Sequence, residues 1–398
     1  MKDFVIIFLL LYGVSSVSSA AAISGSISSD FRQYPNSPLY AGQNDNSSRL
    51  WSLTGDFKLT LEPSRKLKCS FNPYYRAYGY KLNSNIFDIH EAKCVTRGDD
   101  WYFKIGYDVE FWGVMEFVNP TNVLNQRDVT YDLVSKRRLG QPMAKFSIPT
   151  SIGNLGIYLL DYFQPMKFPN YPTDRLRASL PIDFENPQYS ETNGRYHPEF
   201  ALRLANQDGA LSSSIFYFYG YQRDPDLIFG IDNNGVPTLT PYYKIEQQIG
   251  LSLQLTKDNF IFKNENILRL DSHGNYSTHA LSAGIEYDVP AQNSQSSISL
   301  LAEYIYDKRQ TTLIVPFTDD LFLGARINLN DEQSTAFTLW SNYNLSSGNA
   351  EILAFDASRR VADNLKLIAG LRRILTSKGA FADIQADSYF SLKIKLYL

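Results

Sequence analysis

Most of what would mark a soluble secreted protein, a nucleic-acid binder or a helical membrane protein is missing from this chain. Cysteine occurs only twice in 398 residues, too seldom for a fold stapled by disulfides. Neither sign of charge is in large excess, with 38 Lys and Arg against 41 Asp and Glu. The basic footprint of a nucleic-acid binder is therefore absent. No apolar run reaches the roughly 20 residues that a membrane helix needs, and mean hydropathy is −0.26. No segment repeats at a fixed period, which argues against a propeller or solenoid. There is no Cys-x-x-Cys pair, no His-Glu-x-x-His, no Gly-x-Ser-x-Gly elbow and no Gly-rich phosphate loop. The four histidines, His90, His197, His273 and His279, read as surface polar groups. No enzyme, metal or cofactor is expected.

What the chain does have is apolar and aromatic. Hydrophobic residues make up 44% of it and Tyr, Phe and Trp 14%, too much for a disordered chain. Its start is a charged Met1-Lys2-Asp3, an apolar Phe4 to Tyr12 and then small residues to Ala22. That order reads as a secretory signal peptide over 1–20, cleaved after Ala20 or after Ala22. No Cys follows to carry a lipid anchor. The expected mature domain is 21–398, in an oxidising compartment.

Beyond residue 22 apolar and polar side chains alternate with period two. Ile249, Leu251, Leu253 and Leu255 share one face against Gln248, Gly250, Ser252 and Gln254. Leu321, Leu323, Ala325, Ile327 and Leu329 do the same, as do Phe390, Leu392, Ile394, Leu396 and Leu398. Short strands with one oily and one wet flank are the signature of a transmembrane barrel. A sheet in lipid must close, because every backbone N–H and C=O there needs a partner. The pattern predicts an all-β chain: a transmembrane, antiparallel, up-and-down β-barrel of about 18 strands, with roughly 16 as the alternative. Its segments run from 24–33 to 387–398 and include 101–112, 144–149, 199–205 and 240–255.

The connections sort by parity. Every second one is brief, such as 62–65, 98–100 and 256–259, whereas 34–48, 113–143, 164–198, 223–239, 308–318 and 375–386 are long. Short turns on the periplasmic side and long loops outside give that rule. Tyr74, Tyr75, Tyr78, Tyr80, Tyr217, Tyr219, Tyr221, Tyr242, Tyr243, Tyr304 and Tyr306 gather near strand ends. They serve either as interfacial girdles or as filling for the lumen.

Several motifs resemble a family of porin-like outer-membrane barrels of Gram-negative bacteria whose members are mostly uncharacterised. They are Phe111-Trp112-Gly113-Val114-Met115-Glu116, Val123-Leu124-Asn125-Gln126-Arg127-Asp128 and Leu139-Gly140-Gln141-Pro142-Met143. Asp174-Arg175-Leu176-Arg177, Leu180-Pro181-Ile182-Asp183 and the run Asp319 to Arg326 add to them. The chain departs from the family at Asn119-Pro120-Thr121, which is more turn-like, and at Leu398, where most such barrels end in Phe. The resemblance implies a barrel in the outer membrane and names no substrate.

The 113–143 connection far exceeds hairpin length. Asn119-Pro120-Thr121-Asn122 is a turn and helix-start pattern, and Val123, Leu124, Val129, Leu133 and Val134 have a rough helical spacing. Such apolar residues need cover, and a wide lumen offers it. One loop is thus expected to fold into the lumen, bringing Glu116, Arg127, Asp128, Arg137 and Arg138 to a constriction. Opposed charges there select solutes; an outer lid is the alternative. In 164–198, Asp174, Arg175, Arg177 and Arg195 are outer solute-contact candidates, since the Arg fork suits carboxylates and phosphates. A solvated mixed-charge surface explains them equally. A hairpin turning near residue 82 sets Cys69 almost opposite Cys94, so a disulfide forms if the register holds.

The expected function is passive diffusion of small hydrophilic solutes across the bacterial outer membrane after signal cleavage. Alternatives are a substrate-specific uptake or export channel of an envelope complex and a non-conducting surface-binding barrel. Expected partners are outer-membrane lipid, the solutes and further copies of the chain as a homo-oligomer; nucleic acid is not one.

Overall fold

Alternation decides which way each side chain faces. On the last strand Phe390, Leu392, Ile394 and Leu396 stand exposed, while the residues between them are half-buried. On another strand Ile249, Leu251 and Leu255 are exposed and Gln248 and Ser252 are buried. Successive side chains of a strand point to opposite faces, so an apolar band faces out and a polar lining faces in.

A computed structural model describes residues 20–40, 48–79, 85–132, 136–168, 175, 178–231, 235–290 and 296–398. Its strands begin with β1 (Ala20–Gln33), β2 (Arg49–Ser64), β3 (Leu67–Tyr78), β4 (Ile86–Arg97), β5 (Tyr102–Asp108), β6 (Gln141–Thr150) and β7 (Gly153–Leu160). Next come β8 (Gln188–Tyr189), β9 (Glu199–Asp208), β10 (Leu211–Tyr221), β11 (Asp226–Ile231), β12 (Pro237–Tyr243) and β13 (Ile245–Lys257). Then follow β14 (Phe260–Asp271), β15 (Tyr276–Val289), β16 (Ser297–Asp307), β17 (Asp319–Asn328) and β18 (Ala336–Asn344). The chain closes with β19 (Asn349–Ala362), β20 (Leu365–Ile374) and β21 (Tyr389–Tyr397). Eighteen strands form one antiparallel sheet, and β8, β11 and β12 form a small separate one. Because β1 pairs with both β2 and β21, the large sheet is a closed barrel without an edge.

Connections at one end are brief, among them 65–66, 151–152, 209–210, 258–259 and 363–364. Gly209 (φ 53°) and Asp258 (φ 51°) take the left-handed conformation that such two-residue turns need. At the other end run 34–48, 109–140, 161–198, 222–244, 308–318 and 375–388, with tight exceptions at 272–275 and 345–348. These are the turn end and the loop end below.

All eighteen expected segments lie in the ring, with three departures from the sequence reading. The strand expected over 101–112 leaves the wall after Asp108, beyond a kink at Gly106 (φ 123°). The one expected over 240–255 breaks at Lys244, because β12 pairs with β11 outside the ring and Lys244 bonds Asp226 at 2.5 Å. The helical spacing in 119–134 produces turns and single bridges among the described residues, not a helix. Here Asn side chains bond backbone groups in place of a helix: Asn125 Nδ2 donates to the Asp108 and Leu139 carbonyls at 2.8 and 2.9 Å. Leu133 and Val134 lie outside the described residues.

The tyrosines divide between the two readings. Tyr75 and Tyr306 are exposed, Tyr74 and Tyr78 are buried facing the lumen, and Tyr221 and Tyr243 are buried in a loop-end cluster with Phe163 and Ile245. Cys69 stands directly opposite Cys94 in the β3–β4 register, and their sulfurs are bonded.

Candidate pore constriction

After β5 the chain turns into the bore. Trp112, only 2% exposed, packs on Tyr158 of β7 and Phe216 of β10 at ring distances of 5.3 and 4.9 Å. Two wall carboxylates then take up its backbone. Glu265 of β14 accepts from the Val114, Met115 and Thr121 amides at 2.6, 3.1 and 3.0 Å and from the Thr121 hydroxyl at 2.7 Å. Glu303 of β16 accepts from the Glu116 and Phe117 amides at 2.7 and 2.9 Å. These bonds satisfy amides that a loop buried away from water would otherwise leave unpaired. Phe117 finally stacks on Phe322 of β17 at 4.8 Å. Counting round the ring through β6, β7, β9, β10, β13, β14, β15 and β16, β17 stands opposite β5. The segment therefore follows the inner wall through half the ring, touching β7, β10, β14, β16 and β17 in turn, before returning through an Arg127–Arg138 bridge. At its exit a side chain on Gly140 would collide with the Ile89 carbonyl.

The segment leaves the two sides of the bore unlike. On the β1–β4 side the space is filled by stacked Arg and Tyr: Arg32 lies 3.8 Å from the Tyr131 ring centre and 4.5 Å from that of Tyr389. Arg76 donates to Tyr74 Oη at 2.7 Å. On the β13–β20 side a cavity of about 420 Å³ remains, lined by charged groups that include Glu116, Arg138, Asp307, Arg326 and Arg372. Most are tied in pairs. Glu116 meets Lys136 at 2.5 Å and Arg326 at 3.4 Å. Asp224 takes Arg127 and Arg309, both at 2.9 Å. Asp307 takes Arg309 at 2.8 Å and Arg269 at 3.2 Å. Burial alone would raise the Asp224 carboxyl, but Arg127 and Arg309 outweigh it and hold it well below the usual range. Glu110, at the root of the segment, follows the same logic: Lys145 and Lys104 overcome burial and hold it at about 2.

Three of the five expected constriction residues, Glu116, Arg127 and Arg138, line this cavity. Asp128 and Arg137 sit on the opposite flank, where the fully buried Asp128 takes Arg76 at 3.5 Å and Arg137 at 3.3 Å. Arg175 clasps loops together: it pairs with Asp387 at 2.7 Å and donates to the Asn36 and Ala386 carbonyls at 2.6 and 2.9 Å. Arg195 donates to Tyr162 Oη at 3.0 Å. Asp174 and Arg177 lie outside the described residues. Sequence reasoning missed Glu265, Glu303, Asp224, Asp307 and Arg309. For the two glutamates and Asp307, the available signal was a charge in the inward phase of an otherwise alternating strand. Among the described residues no group of three or more His, Cys, Asp and Glu could hold a metal ion.

No protein-family model matches the chain, and no curated protein matches it in sequence. Solved structures do resemble it in shape. Wzi of Escherichia coli, described as an outer-membrane, carbohydrate-binding β-barrel involved in group 1 capsule assembly, has a TM-score of 0.51 and 11% identity. That match covers 99% of this chain and 88% of Wzi. A triple mutant of Rhodopseudomonas blastica porin has a TM-score of 0.46 and 10% identity, over 95% of this chain and 100% of that one. At such identities the likeness is one of fold. The Wzi match supports the β-barrel fold read from the sequence.

Proposed function

We propose that this chain is a bacterial outer-membrane channel for small hydrophilic solutes, narrowed by 109–140 to a charged passage on the β13–β20 side. The course of that segment inside the barrel, fastened to the wall by Glu265 and Glu303, carries the reading. A barrel of this strand number is wide enough for an aqueous channel, and a segment laid along its inner wall leaves a passage whose lining charges choose among solutes. The cavity of about 420 Å³ is of the order of small-ligand sites, so the passage admits small solutes rather than chains. The outward apolar band and the signal-like start favour the outer membrane as its location.

Planar-bilayer recording with the mature protein tests this. The expected result is small, discrete current steps that grow severalfold when 120–138 is deleted. Unchanged conductance after the deletion rejects the constriction.

One observation favours a surface-binding barrel instead. Apolar residues of the loops and strand ends pack together at the loop end: Phe317 and Phe381 share one cluster, and Phe163, Tyr221 and Tyr243 another. A wild-type barrel that never conducts, beside a deletion variant that does, decides for that reading.

A further inference from the structure

The lumen has a second charged feature, nearer the turn end. On β21 the exposed phase is Phe390, Leu392, Ile394 and Leu396, so Lys393 and Lys395 face the bore. Lys395 pairs directly with Lys366 of β20, and Lys366 pairs directly with Arg360 of β19. Three cations therefore stand in one row across three neighbouring strands, with Lys393 one inward position above. Directly opposed residues hold their Cβ atoms roughly 4.5–5.5 Å apart, and like charges placed so destabilise a sheet.

Elsewhere the same wall offsets its cations. Lys93 bonds Asp108 at 2.6 Å, Lys145 bonds Glu110 at 3.1 Å, and Lys104 bonds both carboxylates. The β19–β21 row is different: Asp30 of β1 stands directly opposite Lys393, but among the described residues Arg360, Lys366 and Lys395 have no acidic residue directly opposite and form no ion pair. Arg360 and Lys395 lie near the Tyr397 ring at 5.7 and 4.8 Å, and Lys393 near that of Tyr131 at 5.0 Å. The row also lies in line with the cavity. Inward positions of β20 run from Lys366 through Ile368 and Gly370 to Arg372, which lines the cavity.

We infer that this cationic ladder is a docking strip for small organic anions, bearing carboxylate or phosphate groups, on their way between the turn end and the cavity. This deepens the channel reading above and rests on it for the direction of travel. A bound anion supplies the negative charge that the row lacks, and the field of the row concentrates anions at the mouth. Arg360 contributes a planar fork and the lysines compact point charges, a combination suited to both anion types.

Two measurements test it, one of which needs no conductance. In thermal melts of purified protein, inorganic phosphate should raise the melting temperature by several degrees more than sodium chloride of equal ionic strength. The K366Q/K395Q double variant should melt higher than wild type in low salt, because the repulsion is gone, and should lose most of the phosphate gain. Lys366→Arg should keep that gain. Equal phosphate gains in wild type and the double variant overturn the ladder, and subtracting the double variant's response removes general salt effects. In bilayers under a potassium chloride gradient, wild type should favour chloride, and the double variant should shift the chloride-to-potassium permeability ratio severalfold toward potassium. An unshifted ratio also overturns the proposal. Absence of all conductance overturns the channel reading alone, and the melts still decide whether anions bind.

Discussion

At the scale of single residues, the segment inside the barrel depends on two carboxylates that it does not contain. Glu265 is fully buried and accepts four hydrogen bonds. A hydrogen bond to a charged group contributes about 1.5–3 kcal/mol net, and a buried amide left unpaired is costly. Glu265→Ala should therefore destabilise the barrel by about 3 kcal/mol or more and give larger, noisier currents. Glu265→Gln keeps one acceptor oxygen and should do so less. Unchanged currents and stability in the alanine variant would refute the anchoring role. A pH effect belongs to this scale too. Asp224 and Glu110 are held below their unfolded values by Arg127 and Arg309 and by Lys145 and Lys104, against the opposing effect of burial. Their stabilisation is complete above the unfolded carboxyl range of about 4–4.5 and is lost as pH falls, for Glu110 through about 2. The loss for Glu110 is at most about 3 kcal/mol. Melting temperature should fall between pH 5 and 2, and a flat profile would count against these pairs. Glu116, Arg127 and Arg138 could be singled out in the sequence because they sit in an overlong loop with apolar residues of its own. Glu265 could not be matched to its partners, because three of the four donors are backbone amides 144 to 151 residues away and amides leave no mark in the pattern of side chains.

At the scale of elements, strands were legible wherever lipid on one side and water on the other imposed period two. Where both neighbours changed together the signal failed. Thr240 to Tyr243 keep alternating into β13, so nothing in the pattern marks the break at Lys244, which depends on β11 pairing. Likewise Val123, Leu124 and Val129 are buried by the barrel interior and its loops, an environment that rewards apolar residues at any spacing. The β3–β4 hairpin supplies a prediction. Oxidised protein should gain two hydrogens in mass on reduction, and the C69S/C94S variant should melt a few degrees lower. The cysteines lie 25 residues apart, a loop whose closure contributes roughly 3 kcal/mol in isolation, less here because β2 and β5 already hold both strands.

At the scale of the whole molecule, loop parity showed the closed ring, since only a barrel between two unlike compartments has reason to sort its connections by length. How full the lumen is could not be read. That depends on how the separate loops meet, as when Ile314 from one long loop packs against Val129 and Met166 from two others. Closure predicts resistance: with no free edge to start from, the unheated barrel should keep its β signal in circular dichroism in sodium dodecyl sulfate at room temperature and lose it in one step on heating. Gradual loss without a transition would argue against a continuous ring. The segment between β5 and β17 also has a mechanical consequence. A strip bonded along the inside of one half of a hoop stiffens that half: under lateral tension in the surrounding bilayer the arc from β5 to β17 should keep its curvature, while the arc from β18 to β4 takes up the change of shape.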